Sequence, residues 1–174
     1  MMTRQRCVLL DAMVVIHLHQ LGVWADFISK YDVTLPETVV SEAAYHSADE
    51  LTGNHVAIDL AGDIDSGRIT VLSATQHDLL DVGARLPSWL IIDPGETEAI
   101  ALLSKDPDLE DCLFCTADQA AVKASVMLGI GERCSSLQHL LSGVGMTKSL
   151  PHHYTDDTLK MWVDAAQRDR IQWM

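Results

Sequence analysis

Basic residues are scarce in this sequence. Twelve Lys and Arg face 25 Asp and Glu over 174 residues, a formal net charge of −13 with a pI near 4.7. A chain that binds nucleic acid by bulk phosphate neutralisation carries a basic surface or stripe. Here the basic residues are scattered, and only Arg168 and Arg170 cluster. Long apolar runs are also missing. No stretch approaches the ~18 consecutive apolar residues of a membrane span, and the short run after Arg6 breaks at Asp11, which argues against a secretory core. A soluble, cytoplasmic protein with no membrane partner is expected. The four cysteines, at 7, 112, 115 and 134, are too few for a disulfide framework at this length. Cys112 and Cys115 form a C-x-x-C, but residues three apart on a strand face opposite ways. No second such pair or spaced His pair completes a zinc site, and His152-His153 is isolated. Reduced, buried thiols are expected.

What is present is apolar and patterned. At 48% hydrophobic residues the chain is not a disordered one, and its length suits one domain with a substantial core. Cys7-Val8-Leu9-Leu10 reads as a strand buried on both faces of a parallel sheet, ending in Asp11. Apolar residues at helical spacing follow from Val14 to Leu21 and stop at Gly22, and a second short helix is predicted from Val23 to Ser29. Val33-Thr34-Leu35 is a strand, Pro36 opens the next helix, and that helix carries Val39, Val40, Ala43 and Ala44 beside Glu42. A helix is expected from His55 to Ile64, a strand from Arg68 to Leu72, and a helix over 75–86 that Pro87 breaks. Asp93-Pro94-Gly95-Glu96 is a turn feeding a helix with acids in its first turn. Cys112 to Thr116 is another buried strand, followed by a helix from Gln119 to Leu128 closed by Gly129. A short strand near Cys134, a helix from Leu137 to Leu141, a polar link over 146–152 and an amphipathic helix from Thr155 complete the chain. Strands alternating with helices predict a three-layer α/β/α domain with a mostly parallel central sheet.

Two carboxylates, Asp11 and Asp118, directly follow apolar strands, where ligands of open parallel sheets bind. Glu42 and Glu98 sit on helices among apolar neighbours, with few Lys or Arg nearby to pair with them. Each has an ordinary structural use: an Asp after a strand caps a helix, and a Glu in a first turn faces the helix dipole, which covers Glu96 as well as Glu98. Four acids in such places together suit a bound cation, which would neutralise the group.

The ordered set Leu-Leu-Asp11-Ala, Leu-Pro-Glu-Thr-Val-Val-Ser-Glu42-Ala, Gly-Glu96-Thr-Glu98-Ala-Ile-Ala-Leu and Thr-Ala-Asp118 resembles the PIN-domain family, metal-dependent ribonucleases that include the toxins of VapBC toxin–antitoxin pairs. The resemblance covers about residues 7 to 145. The segment 146–174, the link and the amphipathic helix, lies outside it and is expected to pack on the same domain or on a partner. The resemblance implies Asp11, Glu42 and Asp118 as metal-binding, catalytic acids. For the third acid it favours Glu98, with Glu96 as competitor and Asp93 as a weaker choice. Thr116 is placed to support the site with its hydroxyl or to serve only as a strand-end residue. The pattern departs from the family where a further Asp often follows: Gln119, Ala120 and Ala121 stand there.

Oxygen-only ligands select hard cations, so Mg²⁺ or Mn²⁺ is the implied cofactor. The implied reaction is hydrolysis of RNA phosphodiesters to 5′-phosphate and 3′-hydroxyl ends. An antitoxin protein and a homodimer, through Trp162 on the final helix, are the further partners the resemblance and pattern leave open. A phosphoacceptor receiver domain would need paired acids at the first strand and a late lysine, and a haloacid-dehalogenase-type phosphatase would need Asp-x-Asp where Asp11-Ala12-Met13 stands. A PIN-fold binding module with little catalysis is the alternative from another class. Lys123, His17 and His19 are expected as solvated or packed side chains. The tryptophans at 24, 89 and 162 are expected in core or interface.

Overall fold

The apolar runs before Asp11 and Asp118 become adjacent strands of one sheet. The computed structural model describes residues 5–48 and 58–174. The first half runs β1 (Cys7–Leu10), α1 (Ala12–Gln20), α2 (Trp24–Lys30), β2 (Asp32–Pro36), α3 (Glu37–Ala48), α4 (Ala61–Asp65) and β3 (Ile69–Leu72). The second half runs α5 (Gln76–Arg85), α6 (Pro94–Lys105), β4 (Leu113–Cys115), α7 (Gln119–Met127), β5 (Cys134–Ser135), α8 (Leu137–Gly143) and α9 (Asp156–Trp173). The strands pair in parallel in the order β3-β2-β1-β4-β5.

The period-two alternation of the strands divides the core in two. Val8, Leu10, Val33, Leu35, Leu113 and Cys115 face one layer, built on α1, α2, α3 and α8. Leu9, Cys112 and Phe114 face the other, built on α5, α6 and α7. The fold is therefore α/β/α in three layers, as expected. The thiols of Cys112 and Cys115 are free, buried and on opposite faces. Among the described residues no single helix is long and apolar enough to cross a membrane. The apolar pair α1 and α2 is bent by 120° and packs into the core.

Two local expectations are corrected, and an open one is decided. Pro36 does not open α3 but ends β2, paired with Leu72. The helix expected from His55 lies partly outside the described residues, and within them it starts only at Ala61. Residues 58–60 are not helical, because the Asp59 carboxylate turns back to accept from the Ala61 N–H at 3.1 Å. The segment 146–174 packs on its own domain: α9 lies along α7, and Asp169 Oδ2 meets Lys123 Nζ at 2.5 Å.

The strand order positions the site. The chain winds from β1 to β2 to β3 in one direction, then returns past β1 to lay β4 on its other side. The connections after β1 and β4 leave toward opposite layers, so a crevice opens beyond their carboxyl ends.

Candidate functional site

Register places two acids in that crevice. Leu10 pairs with Cys115, and the Asp11 N–H donates to the Cys115 carbonyl at 3.2 Å, so Asp11 and Thr116 emerge side by side. Asp11 is buried. Its Oδ1 accepts from the Val14 N–H at 2.8 Å and caps α1, while its Oδ2 accepts from the Thr116 hydroxyl at 2.5 Å and the Ala117 N–H at 3.4 Å. Burial pushes its pKa above the usual carboxylate range; the Thr116 hydroxyl and the two amides pull it back, and the charge of Asp118 adds to the rise. The same Thr116 oxygen accepts from the Asp118 N–H at 3.1 Å, so one hydroxyl fixes both aspartates. Asp118 in turn caps α7, its Oδ1 accepting from Ala120 and Ala121 at 2.7 and 3.1 Å.

The third acid in this group is Glu96, not the favoured Glu98. Glu96 lies in the first turn of α6, buried, in a capping-box arrangement with Asp93: its Oε2 accepts from the Asp93 N–H at 3.2 Å. Burial, then the charge of Asp118, push its carboxyl up to about 8, and Asp11 and Asp93 add to the rise. Every charged group acting on it there is an acid. Asp93, the weaker choice, is the N-cap of α6.

Glu98 is equally buried but turned elsewhere. Its Oε2 accepts from the Thr38 N–H at 2.9 Å and its Oε1 from the Ala74 N–H at 3.1 Å. It ties α6 to the start of α3 and to the segment after β3. Two positions along a helix rotate a side chain by about 200°, so residues 96 and 98 face different neighbours. The contacts of Glu98 are therefore with the start of α3 and the segment after β3, whereas Glu96 is the glutamate on which Asp118 and Asp11 act.

Glu42, half-buried on α3, reaches the same end of α6. A Cβ placed on Gly95 would stand 2.7 Å from Glu42 Oε2 and 3.2 Å from Oε1, so only the missing side chain lets this carboxylate lie beside the turn that carries Glu96. Asp11, Asp118 and Glu96 thus lie within electrostatic reach of one another, while Glu42 lies beside Gly95 at the start of α6.

Sequence reasoning missed two neighbours. Tyr154, from the link outside the resemblance, is buried, donates to the Met13 carbonyl at 3.4 Å and has its pKa raised by burial, with the charge of Asp11 adding to it. It stacks on His17 at 4.5 Å, while His19 stacks on Trp24 at 4.6 Å. Both histidines are packing residues. Gly95 was legible only as part of a turn.

Among the described residues no group of three or more His, Cys, Asp or Glu side chains is placed to hold a metal ion. The donor set nonetheless suits a hard cation. All its ligating atoms are carboxylate oxygens, and Asp118 Oδ2 and Glu96 Oε1 accept no hydrogen bond among the described residues. No protein-family model matches the chain, and no curated protein matches it.

Two outcomes test this description. An acid raised by the fold keeps its proton where the unfolded chain has lost it, so Glu96 lowers stability as pH rises from 4.5 to about 8. We expect thermal melts of the metal-free protein to show this loss, on the order of 1–3 kcal/mol, flattened in Glu96→Gln; parallel curves for the two proteins would refute the assignment. Glu98→Ala strands the amides of Thr38 and Ala74 and is expected to cost about 2–4 kcal/mol in urea unfolding.

Proposed function

We propose that the protein is a divalent-metal-dependent endoribonuclease of the PIN-domain type, hydrolysing RNA phosphodiesters with Mg²⁺ or Mn²⁺. The observation that carries this reading is the Asp11–Thr116–Asp118 network at the crossing of β1 and β4, with Glu96 as the acid whose pKa the other carboxylates raise. A buried acid on which, among the described residues, only other acids act is the chemistry of a site that a cation would complete.

Asp118, Glu96 and Asp11 would hold the ion, with Glu42 at the margin beside Gly95. When bound, a divalent ion supplies charge neutralisation, polarises a phosphoryl oxygen and acidifies water. The residues do the rest. Thr116 donates to the Asp11 carboxylate and accepts from the Asp118 backbone N–H, so one hydroxyl fixes the spacing of the two acids. Glu96, whose carboxyl burial and the neighbouring acids push up to about 8, would bind a cation in its deprotonated form and so would hold it more weakly in acid. Burial keeps bulk water from competing with the carboxylates for the ion.

The toxin role within a toxin–antitoxin pair, with an antitoxin protein as partner and a cytoplasmic setting, belongs to this proposal through the resemblance alone. A PIN-fold module with weak catalysis is the second reading. It is favoured by Gln119, Ala120 and Ala121 standing where a further acid is common, and by the capping duties of Asp118 Oδ1.

Calorimetric titration with Mn²⁺ and cleavage of single-stranded RNA separate the two. We expect saturable metal binding, with Asp11→Asn, Asp118→Asn and Glu96→Gln each lowering cleavage by about 100-fold or more while Glu98→Gln, where folded, stays within about threefold. Full activity in Asp11→Asn or Asp118→Asn would sink the nuclease, and absence of divalent binding favours the module. Gly95→Ala is a quieter test: its Cβ displaces the flexible end of Glu42, so melting should change little while cleavage falls about tenfold.

A further inference from the structure

Two thiols meet at the end of the sheet away from the crevice. Val8 pairs with Leu113 across β1 and β4, so one step outward Cys7 stands opposite Cys112. Neighbouring strands lie about 4.8 Å apart, within the Cα separation of about 4.4–6.8 Å that a disulfide spans. Both side chains turn to the same layer. Cys112 is buried in the core formed with α5, α6 and α7, and Cys7 packs against that core. The other two cysteines have no such match: Cys115 faces the opposite layer, and Cys134 pairs across the sheet with Phe114.

The two thiols differ in chemistry. Cys7 is half-buried, whereas Cys112 is only 1% exposed. The Cys112 S–H donates toward the Cys7 sulfur and holds the Cys7 pKa below the usual thiol range. Burial and the charge of Asp32 oppose this, while the Thr34 hydroxyl, 3.9 Å from the Cys7 sulfur, and the charge of Arg133 add to it. The same contact, and then burial, pushes the Cys112 thiol up. Cys7 is therefore the thiol that reacts as a thiolate, and Cys112 the neighbour that keeps its proton. Arg133 is fixed beside them, its guanidinium donating to the carbonyls of Cys112 at 3.1 Å, Leu103 at 2.7 Å and Leu109.

Cys7 and Cys112 line one open cavity of about 590 Å³, which gives a dissolved reagent a way in. Its lining carries Asp108, Glu110 and Asp111 against the single cation of Arg6. Such a mouth repels anionic oxidants and admits a small neutral one.

We propose that Cys7 and Cys112 form a redox-active dithiol that hydrogen peroxide converts reversibly to a disulfide, with Cys7 attacking and Cys112 resolving. The Cys7 thiolate attacks one peroxide oxygen; an S–O bond forms, the O–O bond breaks, and hydroxide leaves to take up a proton. The Cys112 sulfur then attacks the Cys7 sulfenic sulfur. An S–S bond forms, and the S–O oxygen departs with the Cys112 proton as a second water. Two electrons pass from the sulfurs to the peroxide, and an added dithiol reductant returns them. The new bond ties β1 to the start of β4, at one end of the pairing whose other end sets Asp11 beside Thr116. Nothing in this step draws on the nuclease reading.

The test is mass spectrometry of the folded wild-type protein after a few molar equivalents of hydrogen peroxide. The protein is then unfolded in iodoacetamide and cut with chymotrypsin, which parts Cys112 from Cys115 at Phe114. We expect two of the four free thiols to disappear, the mass to fall by about 2 Da, and the Cys7 peptide to be joined to the Cys112 peptide. Dithiothreitol should restore both thiols. Cys112→Ser should stop at a sulfenic acid on Cys7 that dimedone captures, and Cys7→Ser should consume peroxide at least about tenfold more slowly. A cross-link through Cys115 or Cys134, or no loss of the Cys7 and Cys112 thiols in the folded protein, overturns the dithiol. So does oxidation of Cys7 to sulfinic acid without a cross-link, or undiminished peroxide consumption by a Cys7→Ser protein that melts normally.

Discussion

The arrangement of the crevice depends on the parallel pairing of β1 with β4. Strands distant in sequence become neighbours only because the chain returns across its own start, and the pairing of Leu10 with Cys115 then sets Asp11 beside Thr116. From that contact the Thr116 hydroxyl reaches both aspartates, and each aspartate starts a helix, α1 in one layer and α7 in the other. Sheet register, helix capping and acid geometry are thus one connected set of bonds. A slip of one residue between β1 and β4 would turn every side chain of the slipped strand to the wrong layer and part the two acids.

Holding these acids together opposes the fold's own electrostatics. A buried carboxylate is expensive unless hydrogen bonds or an opposite charge compensate it. Asp11 is compensated by a hydroxyl and two amides, and Glu98 by two amides. Glu96 receives one amide and a ring of like charges, and its raised pKa is the result. The difference between Glu96 and Glu98, two residues apart and equally buried, is the difference between a group the fold satisfies and one it leaves needing a partner.

Much of this was legible in the sequence. β1 and β4 were marked by short apolar runs followed by acids, and the ends of α1 and α7 by Gly22 and Gly129, which adopt φ of 70° and 81°. The alternation of strands and helices implied the layers, and Asp11 and Asp118 followed from their places after strands. The third acid was not legible, because Glu96 and Glu98 share a helix turn and only tertiary packing decides which way α6 is rotated. A sharper use of the Asp93-x-x-Glu96 capping pattern would have shown that Glu96 turns back toward the helix start. Pro36 was misplaced because a proline ends an edge of ladder pairing as readily as it opens a helix. Nothing in the sequence marked Trp89 and Ile91 as exposed while Leu90 and Ile92 pack on the core, since hydropathy records what a side chain prefers and not where the chain has room for it.

The protonated state of Glu96 has one more consequence. A carboxyl pushed up to about 8 takes up a proton as the chain folds near neutral pH, so folding itself withdraws a proton from the solvent. Buffering of the surroundings and folding of the chain are thereby linked through a residue whose first duty is to cap a helix.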